Sequence, residues 1–260
     1  MKFLLRLLLG GALFIQPLLA QFGTDNFANS SNWTVGTPTG GATFTFNNRL
    51  EYLVSTPTTN DAVTATWQPG YAPYASDWSV VVDLHLLSMT LTSPSKSVYL
   101  NLMVSDKDTP GNYMKVYQFR TWGGSAMEGF DSELNGSGNL TGYAGYLSST
   151  ATDSSLLISF NSTTKVLSSF VGIAPTYTWT PLESVDIGSG TYLWGSNGFT
   201  IQLAASSASM GGTLAFSSGD AHFSNFAVSS TAIPEPATYA AAFGLIGLIA
   251  AGLRRRFGQQ

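Results

Sequence analysis

The chain has no cysteine, only two histidines and few charges. Only 10% of its 260 residues are Asp, Glu, Lys or Arg, against roughly 25% in an average soluble protein. Without cysteine there is no disulfide scaffold, no thiolate metal site and no thiol nucleophile. The low charge and the 13% of aromatic residues exclude a charged disordered chain and a coiled coil. Eleven basic residues against fifteen acidic ones exclude a basic nucleic-acid binder. Long apolar runs occur only at the two ends.

The first run reads as a signal peptide over residues 1–20. Lys2 and Arg6 supply the positive region, Leu7 to Ile15 the apolar core, Pro17 the break and Ala20 a small residue before Gln21. This predicts export through the Sec translocon. An uncleaved anchor is the alternative, but a membrane span needs about 20 apolar residues.

The second run, Ala237 to Leu253, is uncharged over 17 residues. As a helix it would be about 25 Å long, enough for a single transmembrane helix. Arg254, Arg255 and Arg256 follow at once, and such a cluster stays on the cytoplasmic side. Ahead of it stand Pro234, Glu235 and Pro236, whose prolines force an extended, accessible segment. Motif, apolar run and arginines, in that order after a signal peptide, closely resemble the PEP-CTERM sorting tail of Gram-negative envelope proteins. The resemblance covers residues 233–260. It implies recognition by an exosortase, a membrane transpeptidase-like enzyme that cuts near the motif. It also implies an inner-membrane-anchored precursor and delivery to the cell surface or an exopolysaccharide-rich extracellular matrix. An ordinary C-terminal anchor is the alternative.

Residues 21–232 form the remaining domain. Six basic side chains (Arg49, Lys96, Lys107, Lys115, Arg120, Lys165) stand against fourteen acids, a net charge of −8. That speaks against nucleic acid and anionic lipid surfaces as partners. The hydrophobic period is two. Val80, Val82, Leu84 and Leu86 alternate with Ser79, Val81, Asp83 and His85, and apolar residues recur at every second position in Val98 to Val104, Leu156 to Phe160 and Phe199 to Leu203. Further strands are expected at 42–46, 49–54, 62–67, 113–122, 165–173 and 221–228. About a dozen antiparallel strands without helix predict one large all-β sandwich.

Local phrases sharpen this. Asp25-Asn26-Phe27 opens the domain, Ser224-Asn225-Phe226 closes it, residues 160–167 read as a hairpin, and Trp179, Asp186-Ile187-Gly188, Trp194 and Gly198 to Ile201 follow. This order resembles the concanavalin A-like lectin/glucanase jelly rolls. The resemblance implies first and last strands side by side and an aspartate–glycine turn after a strand crossing the sheet.

That class includes glycoside hydrolases, which need two carboxylates flanking the bond. The family's signature sets Glu, Asp and Glu along one strand, with the aspartate two residues after the first Glu. Here the acids are Glu128, Asp131 and Glu133. The first gap of three would put Glu128 and Asp131 on opposite faces, and the flanking Gly123-Gly124 and Asn135-Gly136 suggest a loop. No nucleophile elbow, Walker loop or dinucleotide fingerprint is present, and nothing adjacent in sequence supplies carboxylates to His85 and His222 for zinc. No catalytic residue is assigned.

Two binding signals remain. Asp106 and Asp108, with Asn112 nearby, could give oxygens to calcium, as could Asp25 by analogy with the jelly-roll class. The polar faces of the central strands carry Asp83, His85, Tyr99, Asn101, Tyr113 and Tyr117. Aromatic faces flanked by amides and carboxylates suit sugar rings, while an ordinary solvated sheet face is the alternative. The expectation is an exported, exosortase-sorted envelope or matrix protein with a non-catalytic, glycan-binding sandwich. Its rivals are a jelly-roll hydrolase or lyase and an adhesin with a protein partner.

Overall fold

The computed structural model describes residues 23–70, 72–89, 96–122, 126–134, 146–189, 192–209 and 214–230. The expected signal peptide, Pro234-Glu235-Pro236, the apolar run 237–253 and Arg254 to Arg256 lie outside the described residues. Among those described, the chain forms fifteen strands. They are β1 (Gly23–Asp25), β2 (Trp33–Val35), β3 (Ala42–Phe46), β4 (Leu50–Val54) and β5 (Asn60–Trp67), then β6 (Trp78–Leu86), β7 (Lys96–Asp106), β8 (Tyr113–Trp122), β9 (Ala126–Leu134) and β10 (Leu147–Ser148), and finally β11 (Asp153–Asn161), β12 (Val166–Ile173), β13 (Trp179–Asp186), β14 (Phe199–Ser209) and β15 (Ala221–Ser229).

The strands make two antiparallel sheets. The eight-stranded sheet runs β13-β12-β11-β6-β15-β4-β3, with β1 also on β15, and the seven-stranded sheet runs β10-β9-β8-β7-β14-β5-β2. One edge of β15 is shared. Its start pairs with β4 and its end with β1. The register shifts between Ser224 and Ala227, where Asn225 takes φ +50° and Phe226 turns inward at 1% exposure. A bulge of this kind bends the strand at the point where its partner changes.

The alternation seen in the sequence builds the core. Val80, Val82, Leu84 and Leu86 of β6 face Val98, Leu100, Leu102 and Val104 of β7 across the sandwich, all at 3% exposure or less. Each such side chain contributes about 1.5–3 kcal/mol on burial. Aromatic rings close the two ends. Phe27, Trp33, Trp67 and Phe226 meet at centroid distances of 4.8 to 6.4 Å. Trp78, Phe160 and Phe199 form a second group at 4.9 to 5.8 Å. Tyr52 crosses the core to donate to the Asp61 carbonyl at 3.0 Å and meet Ser207 Oγ at 2.9 Å. Burial pushes its hydroxyl up to about 12.

The structure is all-β, as expected, with two departures from the sequence reading. The acids Glu128, Asp131 and Glu133 lie on strand β9, not in a loop. Phe130 and Leu134 between and after them are buried, and nine consecutive residues pair with β8. The second departure is β13, a strand that the period of two did not mark, because Pro181 and a register shift opposite Ser169/Phe170 break its alternation.

Candidate functional site

β7 and β8 pair without interruption from Ser97↔Thr121 to Ser105↔Tyr113. Their even-numbered apolar residues enter the core, so the odd-numbered ones face outward. Tyr99 lies opposite Phe119, and Asn101 opposite Tyr117. Tyr99 meets Tyr117 edge-on at 5.8 Å and Phe119 in a stack at 6.2 Å. Tyr117 and Tyr146 each stand 5.9 Å from Phe119. Four rings thus form one aromatic patch on the outer face of the seven-stranded sheet.

β9 places carboxylates beside the patch. Asp131 lies opposite Tyr117 and Glu133 opposite Lys115. Tyr113 donates its hydroxyl to Glu133 Oε1 at 2.6 Å, and Lys115 Nζ reaches Glu133 Oε2 at 2.5 Å. Tyr117 donates to Asp131 Oδ2 at 3.3 Å, and the Ser132 N–H donates to Asp131 Oδ1 at 2.7 Å. Burial pushes the Asp131 carboxyl above the ordinary carboxylate range. The Ser132 and Tyr117 donors pull it back, and the neighbouring Glu133 adds to the rise. Burial, with the carboxylate each one donates to, also raises the Tyr113 and Tyr117 hydroxyls. Asn101 Nδ2 donates to the Ala204 carbonyl of β14 at 3.3 Å.

The six sheet-face candidates therefore divide. Tyr99, Asn101, Tyr113 and Tyr117 share this face. Asp83 and His85 lie on the outer face of the other sheet, because the chain changes sheet between β6 and β7. There Asp83 accepts from Ser155 and, at 2.9 Å, from Asn225 Nδ2. His85 Nδ1 meets Asp153 Oδ1 at 2.7 Å, and its ring stacks on His222. The carboxylates absent from the local sequence thus come from other strands, Asp153 from β11 and Glu51 from β4. Phe119, Lys115, Tyr146, Asp131 and Glu133 were not singled out for the aromatic face. Phe119 stands two residues after Tyr117, a spacing that could have found it.

The three calcium candidates act as acceptors for N–H groups. Asp25 takes the Phe27 N–H on Oδ1, and Asn32 Nδ2 and Trp33 Nε1 on Oδ2. Asp106 takes the N–H groups of Asp108 and Gly195, and Asp108 takes the Asn197 amide. A Cβ on Gly195 would stand 2.5 Å from Asp108 Oδ2 and 3.1 Å from Asp106 Oδ1, so the two carboxylates clasp the 192–198 loop. Among the described residues no group of three His, Asp or Glu is placed to hold a metal ion. The donor set fits loop closure rather than a cation shell.

Glu128 and Asp131 do face opposite ways, as their spacing requires. Glu128 turns inward to pair with Arg120, itself 1% exposed, and Asp131 and Glu133 turn outward. Two residues before Asp131, where the hydrolase signature has its first glutamate, stands Gly129. A Cβ there would lie 2.2 Å from the Leu147 carbonyl oxygen and 3.1 Å from Tyr146 Cε2. The segment carrying Tyr146 closes directly over that position.

No protein-family model matches the chain, and no curated protein sequence does. Solved structures do match. Lectin II from Ulex europaeus aligns over 81% of this chain and 98% of its own, with a TM-score of 0.57 and 8% identity. The winged bean acidic lectin, complexed with methyl-alpha-D-galactose, aligns over 82% and 100% with a TM-score of 0.57 and 13% identity. Peanut lectin with a 9mer peptide aligns over 82% and 98%, at 0.55 and 11%. The fold is the jelly roll of the concanavalin A-like class, and the legume lectins are its neighbours within that class. At these identities it is the fold that is shared.

Proposed function

We propose that this is an exported, surface-sorted bacterial protein whose sandwich binds glycans without cleaving them. The observation that carries the reading is the patch of Tyr99, Tyr117, Phe119 and Tyr146, flanked by Asn101, Asp131 and Glu133 on one sheet face. Sugar rings stack their C–H faces on aromatic rings while their hydroxyls reach amides and carboxylates. Neighbours of the same fold carry sugars, including an Ulex lectin complexed with galactose. Gly129 supports a non-catalytic reading, since the position that a hydrolase would fill with a nucleophilic carboxylate has no side chain and no room for one. Export and exosortase sorting to the envelope or matrix rest on the leader and on the resemblance of residues 233–260 to a PEP-CTERM tail.

A glycan array probed with residues 21–232 tests this. Binding without product is expected, and Tyr99→Ala and Tyr117→Ala should each weaken it by roughly 1 kcal/mol or more, the scale of a lost ring contact. Unchanged binding in both variants would remove this face as the site. Product formation would favour the rival reading of a hydrolase, for which Asp131 and Glu133 on one face are the candidate pair.

A further inference from the structure

Charge on the aromatic face is confined to one side. The outward residues at the centres of β7 and β14 are uncharged: Tyr99, Asn101 and Met103 on one, Gln202, Ala204 and Ser206 on the other. Lys115, Asp131 and Glu133 carry the charge, and they are not equivalent. Glu133 is satisfied twice, by the Lys115 ammonium and the Tyr113 hydroxyl. Asp131 is only 6% exposed, and no cation of the described residues lies within ion-pair distance of it. Its side-chain partner is a Tyr117 hydroxyl at 3.3 Å. The Lys115 charge acts on it from a distance, and a buried carboxylate without a direct ion pair is held at a cost that an arriving cation relieves.

The same face already shows how it receives a primary ammonium. Lys115 Nζ sits 5.4 Å from the centroid of the Tyr117 ring and 5.7 Å from that of Tyr113, with the Glu133 carboxylate completing the contact. Ring face and carboxylate together are the chemistry of cation recognition. Asp131 stands beside the same Tyr117 ring as a second carboxylate, with no direct ion pair of its own.

We propose that this face selects glycans bearing free amino groups, hexosamine chains without their N-acetyl caps, over neutral and uronate-bearing chains. The inference rests on the glycan-binding reading of the face. A hexosamine ring stacked at Tyr99 and Tyr117 brings its ammonium to Asp131. An N-acetyl group offers only a neutral amide there. A uronate brings a carboxylate towards Asp131 and Glu133, against the net −8 of residues 21–232.

Calorimetric titration of the full chain with three probes of equal length decides it: glucosamine, N-acetylglucosamine and glucuronate oligomers, at mildly acid pH where the amine is charged. The glucosamine oligomer should bind about tenfold or more tighter than the N-acetylated one, the scale of one charge-assisted hydrogen bond. Asp131→Asn should abolish that gap, so that the two hexosamine oligomers bind alike. Lys115→Gln, which removes the chain's own competing ammonium, should widen it. Equal affinity for the two hexosamines, a gap that survives in Asp131→Asn, or tighter glucuronate binding would overturn the selectivity while leaving a glycan-binding face. Binding of none of the three by the folded wild-type protein would overturn the selectivity, and an array without hits would then overturn glycan binding as well.

Discussion

His85 and His222, the two histidines of the chain, stack across the β6–β15 ladder with centroids 5.1 Å apart and rings 19° from parallel. They form the middle of a row across four strands, from Asp153 through His85 and His222 to Glu51. Burial lowers the His222 pKa, and Arg49 and His85 add to the shift. Hydrogen bonding from His85 is the chief reason the Asp153 carboxyl is held below its usual range.

The first prediction concerns pH. Unfolded His222 takes a proton near its ordinary value of 6.5, while the folded ring stays neutral until a lower pH. The unfolded state thus binds more protons in that window, and stability rises with pH there. The stability is complete above about 6.5 and is lost as pH falls through the lowered value. Urea midpoints measured from about pH 7 to pH 5 should decline in the wild type and flatten in His222→Gln. The same slope in both would show that another group is responsible.

The second concerns Arg120. Its guanidinium pairs with Glu128 and donates to the carbonyls of Leu86 and Ala151 at 3.1 and 3.3 Å, bridging β8 to the other sheet. Arg120→Leu leaves Glu128 unpaired and should cost about 3–5 kcal/mol. The double variant Arg120→Leu with Glu128→Leu should recover most of this, because no charge is then left alone. A single variant as stable as wild type in urea would contradict the bridge.

Gly129 supplies the third. In Gly129→Ala the new Cβ must push away Leu147, so β10 should detach from β9, at a cost of about 1–3 kcal/mol. The amide of Ser149, which donates to the Glu128 carbonyl at 3.1 Å, should lose its protection from hydrogen exchange. Full protection in the variant would show that the edge accommodates a side chain.

The fourth concerns the tail. Replacing Pro234, Glu235 and Pro236 by alanine should block processing and leave the precursor in the membrane, if the motif is the segment an exosortase grips. Mature mass and cell fractionation read this out. Release identical to wild type would remove the sorting proposal.

Much of the fold was legible because a half-buried strand writes its burial into a period of two. The expected 42–46 and 113–122 coincide with β3 and β8. The side-by-side first and last strands, the 160–167 hairpin and the Asp186–Gly188 turn are present. β9 was missed because the flanking Gly123-Gly124 and Asn135-Gly136 read as loop signals, although its inward Phe130 and Leu134 keep the period. The aromatic face was half legible. Alternation tells which residues share a side of a strand, but it cannot tell which sheet the strand joins. So Asp83 and His85 were grouped with tyrosines that lie on the other sheet. The Asp153–His85 and Asp131–Tyr117 contacts join residues 68 and 14 positions apart, separations that no local pattern encodes.

β1 runs antiparallel to the end of β15, with Gly23 opposite Val228. The places where the chain enters and leaves the sandwich are therefore one strand spacing apart, about 5 Å. Tension applied between these two points would act across a ladder of three residue pairs and part them one after another, like a zipper. The sandwich is thus poorly arranged to carry load along its chain. The adjacent ends also make it a candidate for circular permutation, with residues 23 and 228 joined by a short linker and new ends opened in a loop.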